Sequence, residues 1–502
     1  MADAKREIER KFEFTTTEAE GRGVPDLTGT AAIAAVTDQG TVELDAVYWD
    51  TPDQRLAADG LTLRRRTGGA DAGWHLKLPV SPGVRDEIAA PLGDTVPRSL
   101  AALVRSRVRD TGLEPQVRLL SSRRVSHLLD AGGNVLAELS TDAVRAERDR
   151  AGAAWTEVEV ELADNVDPAL LDAVEERFAA AGLTVSHAPS KLARALAETG
   201  HEPPARTEPG PAGDTAGGHV LAYLREQRDA LIAHDPAVRR GLPDSVHQMR
   251  VAARRMRSAF KTYRKVLDRA VTDPVGEELR WLAAELGVDR DQEVLMERIQ
   301  SRIGEIPRTL ALGPVRSRLR IWNTRRRADS RRRALAVLDS KRYVTLLDTL
   351  DALLAEPPLR PAAAEPARRV LPKAVRREHE RLARKVAHAL SLDPGQPRDV
   401  ALHEARKAAK RARYAAEAAR PALGKRAKRQ AKAMESVQTL LGEHQDSVVA
   451  REALRGLAGQ AAGAAESAFT WGLLYGREEA VAERLERELP EVWAAAHEAA
   501  AY

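Results

Sequence analysis

The sequence predicts two structural classes in succession: an α+β N-terminal domain with an eight-stranded antiparallel β-barrel, then an all-α C-terminal domain of two related halves. Three observations carry this. Through residues 1–200, short segments alternate charged and apolar side chains, the period-two signature of strands with two unlike faces. After a proline- and glycine-rich linker at 201–218, strand signals give way to strong helix formers rich in arginine. Within that helical region a histidine-led basic pattern occurs twice, at His247 and at His403.

Composition narrows the function classes. Of 502 residues 43% are hydrophobic, enough to fill more than one core, and none is cysteine. That excludes a disulfide framework, a thiol nucleophile and a cysteine metal knuckle, and fits a reducing compartment. The N-terminus is charged from Asp3 to Lys11, with no apolar leader segment, and no run approaches the ~18 apolar residues of a membrane span. A cytoplasmic protein with no membrane partner is expected. The net charge of +5 conceals an asymmetry: residues 1–200 hold 24 Lys and Arg against 33 Asp and Glu, and the remaining 302 hold 55 against 41. An acidic domain joined to a basic one suggests metal chemistry in the first and polyanion binding in the second, or simply two solvated surfaces.

The first strand puts Glu7, Glu9 and Lys11 on one face and Ile8, Arg10 and Phe12 on the other. Two acids and a base cannot enter an ordinary core unpaired, so that face must meet water, counter-charges, a metal or an ionic ligand. Residues 24–36 read as a helix or a covering loop. Residues 41–49 alternate Val42, Leu44, Ala46 and Tyr48 with Glu43, Asp45, Val47 and Trp49, a half-buried strand. In 61–67, Thr62, Arg64 and Arg66 share a face; a glycine-rich hairpin then leads to 74–79, where His75 and Lys77 lie opposite Trp74, Leu76 and Leu78. Arg85 and Glu87 repeat the alternation. A helix is expected over 98–110. Strand signals resume over 116–129, with Arg123 and Arg124 inside, and return over 135–139 after a Gly-Gly-Asn turn, with Asp142 just beyond. Residues 156–162 line up Glu157, Glu159 and Glu161 on one face, and helices over 168–181 and 190–196 close the domain. Such strands fit a closed barrel with an ionic lumen, which only a bound polyanion with metal would neutralise; charges facing outward are geometrically open as well.

Glu7, Glu9 and Lys11 match the ExExK signature of the CYTH superfamily, the triphosphate tunnel metalloenzymes, which residues 1 to about 200 resemble. Arg64 and Arg66 resemble its paired tunnel arginines, Lys77 its hairpin lysine, Arg123 or Arg124 its later arginine, Glu157 to Glu161 its closing acidic strand, and Lys191 its terminal lysine. The resemblance implies an eight-stranded tunnel in which Glu7, Glu9, Glu157, Glu159 and Glu161 hold Mg²⁺ or Mn²⁺. It also implies that Lys11, Arg64, Arg66, Lys77, Arg123 or Arg124, and Lys191 grip phosphate oxygens, with Glu7, Glu9 and Lys11 at the catalytic centre. Hydrolysis of a triphosphate tail follows, although some members are adenylate cyclases or thiamine triphosphatases.

In the helical region, His247, Arg250, Arg254 and Arg257 recur in spacing as His403, Arg406, Lys410 and Arg413, each set forming one helical stripe; Arg255 and Arg411 repeat as well. Leu286, Gly287, Arg290 and Asp291 are echoed by Leu441, Gly442, Gln445 and Asp446, and a proline-rich joint at 357–366 separates halves at about 219–355 and 373–500. Histidine among cations suits neither a metal ion nor, without a carboxylate partner, a general base; it suits an anion. With further cations at Arg325, Arg326, Arg327, Lys373, Arg376, Lys428 and Arg429, the stripes form either a groove for a long phosphate chain or solvated faces.

The patterns HxxRVxxRRxR and HxxRKxxKRxR resemble the CHAD family, the conserved histidine α-helical domain, over about residues 215–500. That resemblance implies two pseudo-symmetric helical bundles binding inorganic polyphosphate. The binding set would be His247, Arg250, Arg254, Arg255 and Arg257 with His403, Arg406, Lys407, Lys410, Arg411 and Arg413. Nucleic acid is disfavoured as a partner, because only 4% of residues are aromatic and few of these could stack bases beside the basic helices. The expected protein is a metal-dependent triphosphatase that binds inorganic triphosphate and long-chain polyphosphate, in a cytoplasm where polyphosphate granules are a natural location. A non-catalytic polyphosphate-binding scaffold is the alternative.

Overall fold

The computed structural model describes residues 4–201 and 213–500, apart from the side chains of 288–293 and 323–330. The chain divides into two compact units, Met1–Thr207 and Glu208–Tyr502.

The first unit is an antiparallel barrel. Its strands are β1 (Ala4–Phe14), β2 (Ala35–Asp50), β3 (Thr62–Thr67), β4 (Gly73–Ser81), β5 (Val84–Ala90), β6 (Glu114–Leu129), β7 (Val135–Arg148) and β8 (Ala151–Leu162), with a short β9 (Leu183–Val185). They run in the order β5-β4-β3-β2-β6-β7-β8-β1-β9, and a β5–β1 pairing closes the first eight into a ring. β1 is the seam: Ala4 to Ile8 pair with β5, Glu9 to Phe12 with β8, and Phe12 to Phe14 with β9.

Apolar strand faces point outward onto helices. Phe12, Val158 and Val160 pack against Leu171, Val174 and Phe178 of α4 (Ala169–Ala180), with the Phe12 and Phe178 rings edge-to-face at 4.7 Å. Leu63, Trp74, Leu76 and Ile88 pack against Leu100 and Val104 of α3 (Arg98–Val108). The segment between α1 (Thr17–Arg22) and β2 is a covering loop whose Leu27 and Ile33 are buried in the first of these cores. β2 begins at Ala35, earlier than its clean alternation suggests, because a bulge between Asp38 and Gly40 interrupts the period.

The lumen is not ionic throughout. Tyr48, Val117, Leu119, Val144 and Trp155 share the facing of the tunnel residues on their strands, yet pack with Leu192, Ala195 and Leu196 of α5 (Lys191–Glu198). This short helix plugs one end of the barrel with apolar side chains, and its first residue, Lys191, adjoins the charged part.

The second unit is helical: α6 (Ala216–Arg240), α7 (Ser245–Thr262), α8 (Arg269–Glu285), α9 (Gly287–Gly304), α10 (Val315–Leu338) and α11 (Lys341–Ala355) precede the proline-rich joint, and α12 (Ala367–Leu390), α13 (Gln396–Leu423), α14 (Lys425–Gly463) and α15 (Phe469–Ala499) follow it. Thr215 caps α6 through a bond to the Gly218 amide, so helix begins within the stretch that reads as linker. The halves interlock. Ala415 to Ala422 of α13 belong to the core of the first half, while Leu295 and Ile299 of α9 pack with Leu454 of α14 and Trp471 of α15. Among the described residues, no helix is long and apolar enough to cross a membrane.

Candidate functional sites: an ionic tunnel and a basic helix crossing

The inward faces of the barrel enclose about 640 Å³. Alternation and register decide what enters. Lys11 of β1 contacts Glu159 of β8 and lies 3.3 Å from Glu9. Lys77 Nζ is 2.6 Å from Glu7 and 3.1 Å from Glu87. Lys191 Nζ reaches Asp142 at 3.0 Å and Glu157 and Glu159 at 2.7 Å each. Arg123 grips fully buried Asp142 with two bonds of 2.8 Å and Glu159 with one of 2.9 Å.

Of the two adjacent arginines, the lumen therefore takes Arg123. Arg124 is a correction: it sits on the opposite face of β6, two-thirds exposed, paired with Asp38 at 2.7 Å. The lumen also neutralises much of its own charge by these pairs, so the expectation that only a bound polyanion with metal could do so does not hold.

The acids fall into two groups. Asp142, Glu157 and Glu159 have oxygens within 4.8 Å of one another, close enough to share a cation. Those oxygens already serve Lys191, Arg123 and Lys11, and Trp155 Nε1 donates to Glu157 at 2.9 Å. Burial opposes ionisation of Asp142 and Glu159, but these bases hold both carboxyls below their ordinary range. A metal ion there would have to displace a base.

Glu7, Glu9 and Glu161 form the second group, and each of these also has a base beside it: Lys77 at 2.6 Å from Glu7, Lys11 at 3.3 Å from Glu9 and Lys5 at 2.5 Å from Glu161. The β1–β8 ladder puts Glu9 directly opposite Glu161, a like-charge pair that costs energy without a counter-charge. All three line the cavity, and carboxylate oxygens suit Mg²⁺ or Mn²⁺. Burial and a bond shared with Glu87 push Glu7 up to about 8, against the pull of Lys77. Glu87 is also buried, but bonds from His75 and Glu7 and the charges of Lys77 and Arg64 hold it well below the carboxylate range.

The facing wall is cationic. Thr62, Arg64 and Arg66 of β3 point inward, and Arg66 pairs with Asp71 across the hairpin. Burial and the nearby charges of Arg64 and Arg123 push Arg66 down to about 10, the mark of cations crowded together without enough acid. Glu87, His75 and Asp142 are site residues that pattern reading did not assign. Glu87 was detectable, since it alternates with Arg85 and its register partner is Lys77.

In the helical unit, α7 and α13 bring both stripes to one place. Arg254 Nε donates to Tyr414 Oη at 3.1 Å. Arg250 donates to the Gly287 carbonyl at 3.3 Å, and His403 Nδ1 lies 2.6 Å from Gln445 Oε1, which makes the ring nitrogen a donor. Arg406 lies 3.9 Å from Asp446. Half-buried Lys410 sits among them: burial, then the charges of Arg406, Arg254 and Arg250, push it down to about 7, with Asp446 opposing.

The remaining motif cations do not join this cluster so directly. Arg255 pairs with Glu417 at 3.1 Å, Arg411 with Glu378 at 2.6 Å, and Arg413 with Glu417 at 2.7 Å and Glu435 at 3.0 Å. Lys407 is exposed and paired with Glu404 at 2.7 Å. His247 and Arg257 are half-buried along α7. Lys373, Arg376, Lys428 and Arg429 are exposed on α12 and α14, while the side chains of Arg290, Asp291 and Arg325 to Arg327 lie outside the described residues.

Comparison with known proteins agrees with this division. A CYTH domain model matches residues 5–196 and a CHAD domain model residues 222–455. Uncharacterized proteins of Mycobacterium tuberculosis strains CDC 1551 and H37Rv are each 41% identical, over 96% of this chain and 94% of their own length. Among solved structures, PptA from Streptomyces chartreusis is 22% identical over 56% of this chain and 100% of its own, with a TM-score of 0.46. An adenylyl cyclase candidate from Hippeastrum, described as having a dominant triphosphatase activity, is 19% identical over 40% of this chain and 99% of its own, with a TM-score of 0.24.

Proposed function

The chain belongs to the proteins in which a CYTH domain precedes a CHAD domain, and from that premise we propose that it hydrolyses inorganic triphosphate, or a related triphosphate, in the tunnel and captures polyphosphate on the helical unit. The observation that carries the first part is the arrangement of one cavity. Arg64, Arg66, Lys77 and Arg123 crowd one region of it, while Glu7, Glu9 and Glu161 gather at β1 and β8.

In this reading the cations position the phosphate chain and take up charge that develops on its oxygens, so catalysis is positioning plus electrostatic stabilisation. Glu7, Glu9 and Glu161 would hold Mg²⁺ or Mn²⁺, which supplies charge neutralisation and a more acidic bound water. Asp142, Glu157 and Glu159 orient Lys11, Arg123 and Lys191 toward the chain. Arg250, Arg254, Arg406 and Lys410 form the polyphosphate contact of the helical unit.

The test is phosphate release by the purified protein from inorganic triphosphate, long polyphosphate, ATP and thiamine triphosphate, with and without Mg²⁺ or Mn²⁺. Metal-dependent release from inorganic triphosphate is expected. Binding without release would favour the scaffold, and cyclic AMP from ATP would favour a cyclase.

A further inference from the structure

Arg66 is a tunnel cation that already carries an anion, the carboxylate of Asp71. We propose that Asp71, in the turn joining β3 to β4, is an internal competitor for the substrate: its carboxylate occupies Arg66 in the empty tunnel and leaves when a phosphate group takes its place. This rests on the triphosphate reading above and adds to it a residue that sets how tightly the phosphate chain is held.

The two partners are unequally fixed. The Arg66 side chain is 6% exposed, whereas that of Asp71 is 62% exposed, and both line the one cavity. Among the described residues Asp71 is the only ion-pair partner of Arg66, and it leaves Arg66 Nε buried with no acceptor. Arg64 Nε, two residues earlier on the same inward face, is buried without an acceptor as well. Buried donors without partners are costly, and one carboxylate reaching in from the turn does not satisfy both arginines. A phosphate chain presents several charged oxygens, the acceptors that a pair of guanidinium forks takes best.

The backbone beneath Asp71 is held independently of its carboxylate. The Asp71 carbonyl accepts a bond of 2.9 Å at Nε2 of His75, a residue buried on β4. Gly68 and Gly69 begin the turn with φ of +81° and +74°, and a β-carbon at Gly68 would run into the Glu43 carbonyl of β2. The turn is thus pinned at its start against β2 and near its end to β4. Only the side chain has to move, by rotation about its own torsions into solvent. An exposed carboxylate gives up little by that rotation, while Arg66 stays in the lumen.

The pair with Asp71 exists only in the empty site, so breaking it weighs equally on the substrate complex and on the transition state. Removing the carboxylate should therefore lower KM at unchanged kcat, the signature of a change in uniform binding. Solvent on the Asp71 side limits the size of the effect. Pairs of this exposure change an equilibrium by about two- to fivefold.

The experiment compares the full chain with its Asp71→Ala variant, using inorganic triphosphate as the probe. KM and kcat are read with Mn²⁺ present, and Kd by calorimetry in EDTA, where the difference between the two proteins cancels any triphosphate held by the helical unit. KM and Kd should both fall by about two- to fivefold in Asp71→Ala, with kcat unchanged. Loss of any acid near a phosphate site also acts through space, so the substitution is repeated in Arg66→Met, where it should change nothing. Affinity unchanged or weakened by Asp71→Ala, or a gain that persists without Arg66, overturns the proposal while metal-dependent turnover of triphosphate upholds the underlying reading. Absence of both triphosphate binding and turnover in the unmodified protein overturns the two together.

Discussion

The guanidinium of Arg250 rests on Gly287, with Nη2 2.7 Å from where a β-carbon would stand, whereas the repeat-related Arg406 leaves 3.5 Å above Gly442. A methyl group at 287 must push Arg250 aside, which costs little energy because a guanidinium ends a flexible chain. Alanine also favours the helix by about 1 kcal/mol over glycine. Gly287→Ala should therefore keep or raise the melting temperature yet weaken polyphosphate binding. Gly442→Ala should weaken it much less. Melting curves and binding titrations on the two variants check the contrast.

Replacing Arg250, Arg254, Arg406 and Lys410 together by alanine should lower polyphosphate affinity and flatten its salt dependence. Each close cation releases counterions from a phosphate backbone, so the logarithm of affinity falls with the logarithm of salt by roughly 0.7–0.9 per contact on nucleic acids. A titration series in salt reads the slope. An unchanged slope would place the anion elsewhere.

Glu7→Gln and Glu9→Gln should abolish triphosphate turnover with the fold retained, because each removes a charge from the face that would hold the metal. The loss should exceed the ~10–100-fold typical of outer-shell changes around a metal. Circular dichroism and phosphate release at several Mn²⁺ concentrations separate the two effects. Full metal-dependent activity in the double variant would remove the tunnel from consideration.

Lys191→Met should destabilise the barrel strongly, since it strands Asp142, Glu157 and Glu159 with one base fewer in a buried setting. Breaking one partner of a buried pair costs about 3–5 kcal/mol. Adding Asp142→Asn should recover part of that loss. Chemical denaturation of the single and double variants measures the coupling.

The class of each unit was legible because alternation and helical repetition are local. The ionic lumen, the two outward-facing cores and the basic stripes follow from periods of two and of 3.6 residues. What escaped was non-local. Arg123 and Arg124 are indistinguishable in isolation; Asp142 on the neighbouring strand decides between them. The alternation of Val42, Leu44, Ala46 and Tyr48 gives no hint that this face meets α5 inside the barrel, because the plug comes from a distant segment. Glu87 gains its importance only from strands β1 and β4 on either side of it. Likewise, both stripes can be read from the sequence, but their convergence on Lys410 depends on how α7 meets α13.

The seam formed by β1 has a consequence for how the protein comes into being. Its first half pairs with β5 and its second half with β8, so the strand made first during synthesis cannot complete its bonds until nearly the whole barrel exists. Contacts so distant along the chain form slowly, because the entropy of closing the loop is spent before they return anything. Glu7, Glu9 and Lys11 are therefore expected to reach their partners late in folding, and the proposed triphosphate hydrolysis to begin only once the ring has closed. After dilution from denaturant, fluorescence of Trp74, buried on the outer face of β4, should recover before metal-dependent phosphate release does, with the other tryptophans replaced by phenylalanine. Simultaneous recovery would mean that the ring closes as early as its helices pack.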